Sequence, residues 1–281
     1  MDNFQGLIDF RSDFFGPCNQ DPPQRNVEEQ LATWIAELDT HSLDHLVAYA
    51  SRPGEAPLVA AAARAAEGRL IPFALVDPTS CDSKDRAEEL IGRYGFRGFL
   101  LFPSAHGFSI DGPQAEGLLE IAGDISAPVI VHCGLLAPEH RDQLELPQSL
   151  DISLGNPLSL IPAATRHPKV PFVIPHFGAG FLRETLMAGE MCENIFVDTS
   201  SSNSWIRTQS SELRLEDVFE RALGVFGAER ILFGTGSTPA ARAWRHDLFT
   251  LQREALGALE VSTADQALIF RDNAHRLLGL K

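Results

Sequence analysis

The stretch PVIVHCG, Pro128–Gly134, carries an apolar run that stops at a histidine, a cysteine and a glycine. Further along, PFVIPHFG, Pro171–Gly178, repeats the pattern. Short uninterrupted apolar runs suit strands buried on both faces of a parallel sheet, and each run stops where a loop must begin. Both histidines, His132 and His176, are therefore expected at strand ends. In a parallel barrel the carboxyl ends of the strands open on one common face, where functional residues collect. The two histidines would then share a site. A lone histidine in either context is as well explained by a hydrogen bond in the core or in a loop, so the matched pair is what points to a site.

Working outward, strands are expected at Phe4–Phe10, Leu43–Tyr49, Leu70–Val76, Phe96–Phe102, Val129–His132, Phe172–Pro175, Ile195–Asp198 and Arg230–Phe233. Helical spacing is expected at Val27–Leu38, where Val27, Leu31, Trp34, Ile35 and Leu38 share a face, and at Glu55–Glu67, Asp85–Tyr94, Pro113–Gly123, Pro157–Arg166, Gly180–Met191 and Leu215–Phe226. Arg242–Leu256 and Thr263–Leu278 supply a closing helix and one more. Eight alternating strand and helix units predict an α/β fold, a single (β/α)8 TIM barrel over residues 1–281. A doubly wound open sheet would call for a phosphate-binding glycine turn after the first strand, and FRSDFFG, Phe10–Gly16, is not one. Two long connections, Cys133–Asn156 and Thr199–Arg214, leave carboxyl ends of strands and should overhang the site face. The second brings hydroxyls, Trp205 and Arg207 within reach of a substrate.

The chain has 281 residues, 44% of them hydrophobic, which is ample for one barrel core. A formal net charge of -15 opposes general affinity for nucleic acid or anionic membrane surfaces. Four dispersed cysteines without a CxxC pair suggest neither a disulfide scaffold nor a zinc knuckle, and fit a reducing cytoplasm. The amino terminus lacks a basic stretch followed by an apolar one, and no apolar run approaches the roughly 18 residues of a membrane span. The expected partner is a small molecule, with no nucleic acid or membrane; a homo-oligomer is compatible with the sequence.

Taken together, GLIDF, GFRGFLLFPSAHGF, PVIVHCG, HPKVPFVIPHFGAG, NIFVDTSS, ERALGVFGAERILFGTGSTPAARAWR and IFRDNAHRLLGL resemble the amidohydrolase superfamily, in its amidohydrolase-2 branch. That branch holds metal-dependent hydrolases and decarboxylases of small carboxylated compounds. The resemblance implies a metal held by a His-x-His pair after the first strand, histidines after the fifth and sixth, and an aspartate after the eighth. His132 and His176 match. The others do not, since the chain reads Arg11-Ser12-Asp13 in place of His-x-His and Gly236 in place of the aspartate of FGTD. Zinc catalysis needs about three protein ligands and an open position for water. Losing the aspartate also removes the group implied to take the proton from that water.

What remains is Asp13, His132 and His176, a two-histidine, one-carboxylate set for a divalent metal such as zinc. Arg11 would repel that metal about as strongly as Asp13 attracts it. Two apart on an extended segment, Arg11 and Asp13 point the same way, and a direct ion pair between them is the simpler expectation. His132, His176 and Asp13 are thus the catalytic candidates, and Arg11, His106, Trp205 and Arg207 the substrate-binding ones. Cys133 should point away from the barrel axis as a core thiol. Asp198 would orient a histidine or cap the serine-rich loop, and Arg245 and His246 belong to a polar helix face. Two functions follow: a hydrolase or decarboxylase-like enzyme for a small carboxylated anion gripped by Arg11, or a non-catalytic barrel that lost its metal and binds a ligand or partner at the same mouth.

Overall fold

The computed structural model describes residues 6–16, 26–200, 203–238 and 244–280. Its centre is one sheet of eight parallel strands in sequential order: β1 (Leu7–Asp13), β2 (Leu43–Ala50), β3 (Leu70–Leu75), β4 (Gly98–Leu101), β5 (Val129–Val131), β6 (Phe172–Ile174), β7 (Ile195–Asp198) and β8 (Ile231–Leu232). The ends of the sheet meet. Phe10 N–H donates to Phe233 O at 2.9 Å, Gly236 N–H to Arg11 O at 2.9 Å, and Ser12 pairs with Ser237. The expected eight-stranded α/β barrel is what forms.

Alternation along each strand builds two apolar layers. Ile8, Phe10, Val47, Tyr49, Phe73, Leu100, Ile130, Val173 and Leu232 fill the barrel. Their neighbours Leu7, Leu46, Ala48, Phe99, Leu101, Val129, Val131, Phe172 and Ile231 face outward beneath the helices. A barrel buried on both faces of its strands leaves few polar positions, which is why β3 to β8 read as nearly unbroken apolar runs, while Asp9 on β1 and Asp44 and His45 on β2 interrupt theirs.

The helices follow in turn: α1 (Val27–Thr40), α2 (Ala56–Ala65), α3 (Ser83–Gly92), a single turn α4 (Pro103–His106), α5 (Pro113–Ile125), α6 (Pro138–Gln143), α7 (Leu160–Arg166), α8 (Leu182–Met191), α9 (Leu215–Phe226) and α10 (His246–Ala258). Asn26 starts α1 by accepting the backbone N–H of Glu28 and Glu29. The last expected helix is broken in two: α11 (Thr263–Ala267) passes through a π-helical turn, Leu268–Asp272, into α12 (Asn273–Leu277). There Asn273 turns inward and donates to Ala228 O and Ile231 O, holding the start of β8. None of the described helices is long and apolar enough to cross a membrane.

Two expectations change at the first strand and the closing helix. β1 includes Arg11–Asp13, which the sequence placed beyond it; Phe4 and Gln5 lie outside the described residues. The extension is paid for by a bulge, since Asp9 pairs with Leu46 and Ser12 with Ala48, three residues facing two. The closing helix begins at His246 rather than Arg242, and residues 242 and 243 lie outside the described ones.

Candidate functional site

The carboxyl ends of the strands surround a cavity of about 700 Å³. Its floor comes from Arg11 and Asp13 on β1, Tyr49 and Ser51 at the end of β2, Phe102 after β4, His132 after β5, His176 after β6 and Gly236 after β8. The connection after β5 overhangs it as expected, with Leu135 and α6 residues Pro138 and His140 in the wall. Trp205, Arg207 and Thr208 enter from the connection after β7, and Arg245 from the start of α10.

His132 and His176 come together, their rings edge-on with centroids 5.6 Å apart. His132 lies stacked on Phe102 at 4.9 Å. His176 sits in an unusual turn. His176, Phe177 and Ala179 have φ of 57°, 52° and 44°, a left-handed conformation that non-glycine residues adopt only when their surroundings impose it. The neighbouring loop presses on that turn. Leu135 N–H donates to Ala179 O at 2.8 Å, and a Cβ on Gly134 would stand 2.2 Å from Gly178 O. The glycine ending PVIVHCG is therefore what lets the two histidine-bearing loops touch.

The electrostatics favour neutral imidazoles. Burial, the neighbouring His176 and the Arg11 guanidinium hold the His132 pKa well below the ordinary histidine value. Burial and Arg11 do the same for His176. The His176 Nδ1 is 2.8 Å from Ser200 O and 2.9 Å from Ser200 Oγ, and Asp198 accepts from the Ser200 hydroxyl and from the backbone N–H of both Ser200 and His176. Asp198 thus both orients a histidine and caps the serine-rich loop, the two alternatives read from the sequence; Ser201 and Ser202 lie outside the described residues.

The expected ion pair of Arg11 with Asp13 does not form. Asp13 Oδ1 accepts the backbone N–H of Phe15 at 3.1 Å and Gly16 at 3.0 Å, and Oδ2 accepts Ser51 Oγ at 2.8 Å. Its carboxylate is consumed in shaping the turn after β1, a use that no spacing reveals. Arg11 lies instead over the Tyr49 ring, 5.5 Å from its centroid, and its buried Nη1 has no hydrogen-bond partner among the described residues. Its charge also acts on Asp198, opposing the rise in pKa that burial gives that carboxyl.

Other residues are placed differently from their reading. His106 does not line the cavity: it is half-buried in α4, its ring covered and its Nδ1 3.9 Å from Asp77 Oδ1. Arg245 is no mere polar helix face, because it precedes α10, anchors its backbone N–H on Ser237 Oγ at 2.9 Å and lines the cavity. Cys133 is buried in the outer layer, and burial raises its thiol pKa, as suits a core thiol. Two features were missed. His140 was lost in a loop without periodicity. Asp9, the aspartate of GLIDF, is fully buried, with its pKa raised to about 6 by burial against hydrogen bonds from Thr235, Arg11 N–H and Trp244 Nε1. A charge inside an apolar strand was the signal that could have found it.

A family metal would have to be held by these same groups, and the donor set does not fit. Asp13 has its oxygens occupied, Gly236 offers no side chain, and a guanidinium stands where a ligand is implied. Among the described residues no three His, Cys, Asp or Glu side chains converge so as to hold a metal ion.

Comparison with known proteins agrees with the architecture. A family model described as amidohydrolase matches residues 11–280. No curated protein sequence matches. Among solved structures, 2,6-dihydroxybenzoate decarboxylase from Rhizobium is similar, with a TM-score of 0.66 and 16% identity, 99% of each chain being covered. A probable 2-pyrone-4,6-dicarboxylic acid hydrolase from Acinetobacter baumannii, with citric acid bound, gives 0.66 and 15%, covering 98% of this chain and 100% of that one. Dihydroxybenzoic acid decarboxylase from Polaromonas sp. JS666, with bound manganese and 2-nitroresorcinol, gives 0.66 and 14%, covering 99% and 98%. At these identities the likeness is one of fold, while the match of the family model over nearly the whole length shows that the chain belongs to the amidohydrolase family.

Proposed function

We propose that the barrel mouth takes a small carboxylated compound and acts on it by hydrolase or decarboxylase-type chemistry, with Arg11 holding the carboxylate and His132 or His176 moving a proton. The observation that carries this is the buried Arg11 Nη1 beside the histidine pair, which has no hydrogen-bond partner among the described residues. A buried donor left unmade is unfavourable, and a carboxylate that fills it forms a charge-assisted bond. The surroundings point the same way. In a chain of net charge -15, the described residues lining the cavity include Arg11, Arg207 and Arg245, and the one acid among them, Asp13, is already satisfied. Neutral histidines are competent to accept a proton near pH 7. The relatives' names, a decarboxylase of dihydroxybenzoate and a hydrolase of a pyrone dicarboxylic acid, support the substrate class.

The donor set that does not fit a metal favours a second reading, a barrel that binds the anion without turning it over. Incubation with a panel of aromatic acids, lactones and amides, with chelator and separately with zinc or manganese, distinguishes the two. Turnover of a carboxylated member supports the enzyme. Binding without turnover supports the second reading, and neither binding nor turnover of any anion defeats both.

A further inference from the structure

We propose that Ser200 is a positioning residue that fixes His176 as the Nδ1-protonated tautomer and so presents the bare Nε2 to the cavity as a proton acceptor, giving the two histidines different roles. The assignment rests on the proposed function for what the proton transfer serves, but its geometry stands apart from any substrate. Ser200 O, 2.8 Å from His176 Nδ1, is a carbonyl and can only accept, so Nδ1 must carry the hydrogen. The Ser200 hydroxyl, 2.9 Å from the same nitrogen, donates to Asp198 Oδ1 and is left to accept from Nδ1 as well. With one edge of the ring engaged in this way, the other edge of a residue that lines the cavity carries the lone pair.

Asp198 makes the arrangement rigid. Its Oδ1 also accepts the backbone N–H of His176 at 3.1 Å and of Ser200 at 2.8 Å, so one carboxylate ties the end of β7 to the left-handed turn after β6. That turn holds three non-glycine residues at positive φ, a conformation that persists only where its neighbours determine it. His132 differs. Among the described residues nothing hydrogen-bonds its ring, which is held by stacking on Phe102. Its tautomer is unset, so either ring nitrogen can meet a ligand, as hydrogen-bond donor or as acceptor. Two adjacent histidines thus divide into a fixed acceptor and a free partner, an arrangement suited to moving a proton on and off one ligand.

The test is nuclear magnetic resonance of the full chain labelled with nitrogen-15 in histidine, the His176 signals being assigned by their loss in His176→Asn. The unaltered protein at neutral pH should show His176 with a protonated Nδ1 and a bare Nε2. Ser200→Ala keeps the backbone carbonyl and should keep that single pattern, whereas Asp198→Ala, which releases the Ser200 N–H, the Ser200 hydroxyl and the His176 N–H, should give averaged nitrogen signals, and Asp198→Asn, which keeps an acceptor oxygen, should restore it. Thermal melting shows whether each variant is folded. A bare Nδ1 on His176 in the unaltered protein overturns the proposal, as does a folded Ser200→Ala that loses the pattern or a folded Asp198→Ala that keeps it unchanged. Titration of the unaltered protein with benzoate separates the two claims. The expected tautomer without benzoate binding sinks the anion reading and leaves Ser200 as assigned; binding with the wrong tautomer does the reverse.

Discussion

Replacing Arg11 with methionine removes the guanidinium while keeping a long side chain in the cavity floor. The structure sets two opposing effects on the unliganded protein. Arg11 over Tyr49, at 5.5 Å, is a cation–π contact worth about 0.5–2 kcal/mol. Its buried Nη1, without a hydrogen-bond partner among the described residues, is a penalty of about 1–3 kcal/mol. These nearly cancel, so the melting temperature should move by no more than a few degrees at about 2–4 °C per kcal/mol. Anion binding has no such compensation. A hydrogen bond to a charged group contributes about 1.5–3 kcal/mol, so the Kd for benzoate should rise roughly 10- to 150-fold. Arg11→Lys keeps the charge but not the planar fork and should fall between. Calorimetric titration with benzoate beside thermal unfolding of each variant measures both quantities. A Kd within twofold of the unaltered protein's refutes the role of Arg11; collapse of the fold would make Arg11 a structural residue instead.

Gly134→Ala would force a Cβ 2.2 Å from Gly178 O at a φ of 75°, and should destabilise by more than about 1 kcal/mol in urea unfolding; an unchanged midpoint would mean the two loops can part at no expense. Glu55, which accepts the backbone N–H of Ser51 and Arg52, has its pKa raised from 4.5 to about 7, first by burial and then by Asp13. Because the folded pKa lies above the unfolded one, the folded state holds the proton more tightly, and this carboxyl's contribution is lost as pH rises from 4.5 to about 7, by roughly 3 kcal/mol in all. Glu55→Gln should flatten the stability profile across that window, and an unaltered slope there would contradict the shift. Excess zinc should barely move the melting of the unaltered protein. Arg11→His, Asp13→His and Gly236→Asp together should restore a response of about 2.7 kcal/mol once free metal exceeds Kd a hundredfold. Tight stoichiometric metal in the unaltered chain would overturn the donor-set argument.

The barrel was legible because β3 to β8 announce themselves as short, nearly unbroken apolar runs, and because His132 and His176 end two of those runs in the same way. The barrel brings both to one face, and the 5.6 Å separation of their rings rests also on the close approach of the two loops at Gly134. The pairing of Arg11 with Asp13 was misjudged because spacing reports direction and not competition. The backbone N–H groups of Phe15 and Gly16 claim Asp13 first, in a turn whose shape depends on Gly16 at φ 65°. Asp9 was hidden for the opposite reason: its partners Thr235 and Trp244 come from the far end of the chain, where only barrel closure brings them near. The link from Asp198 through Ser200 to His176 likewise joins two strands and exists only in three dimensions. Arg245 was read as helix because nothing in AWRHD shows that the helix waits until His246.

The central claim, that a carboxylate binds on the Arg11 guanidinium in place of a metal-held ligand, is met most directly by a crystal structure of the protein grown with zinc and benzoate together and recorded at the zinc absorption edge. The carboxylate should lie within hydrogen-bond distance of Arg11 Nη1, with no anomalous peak between His132 and His176. A zinc ion bound by those two histidines, or benzoate seated away from Arg11, would contradict it.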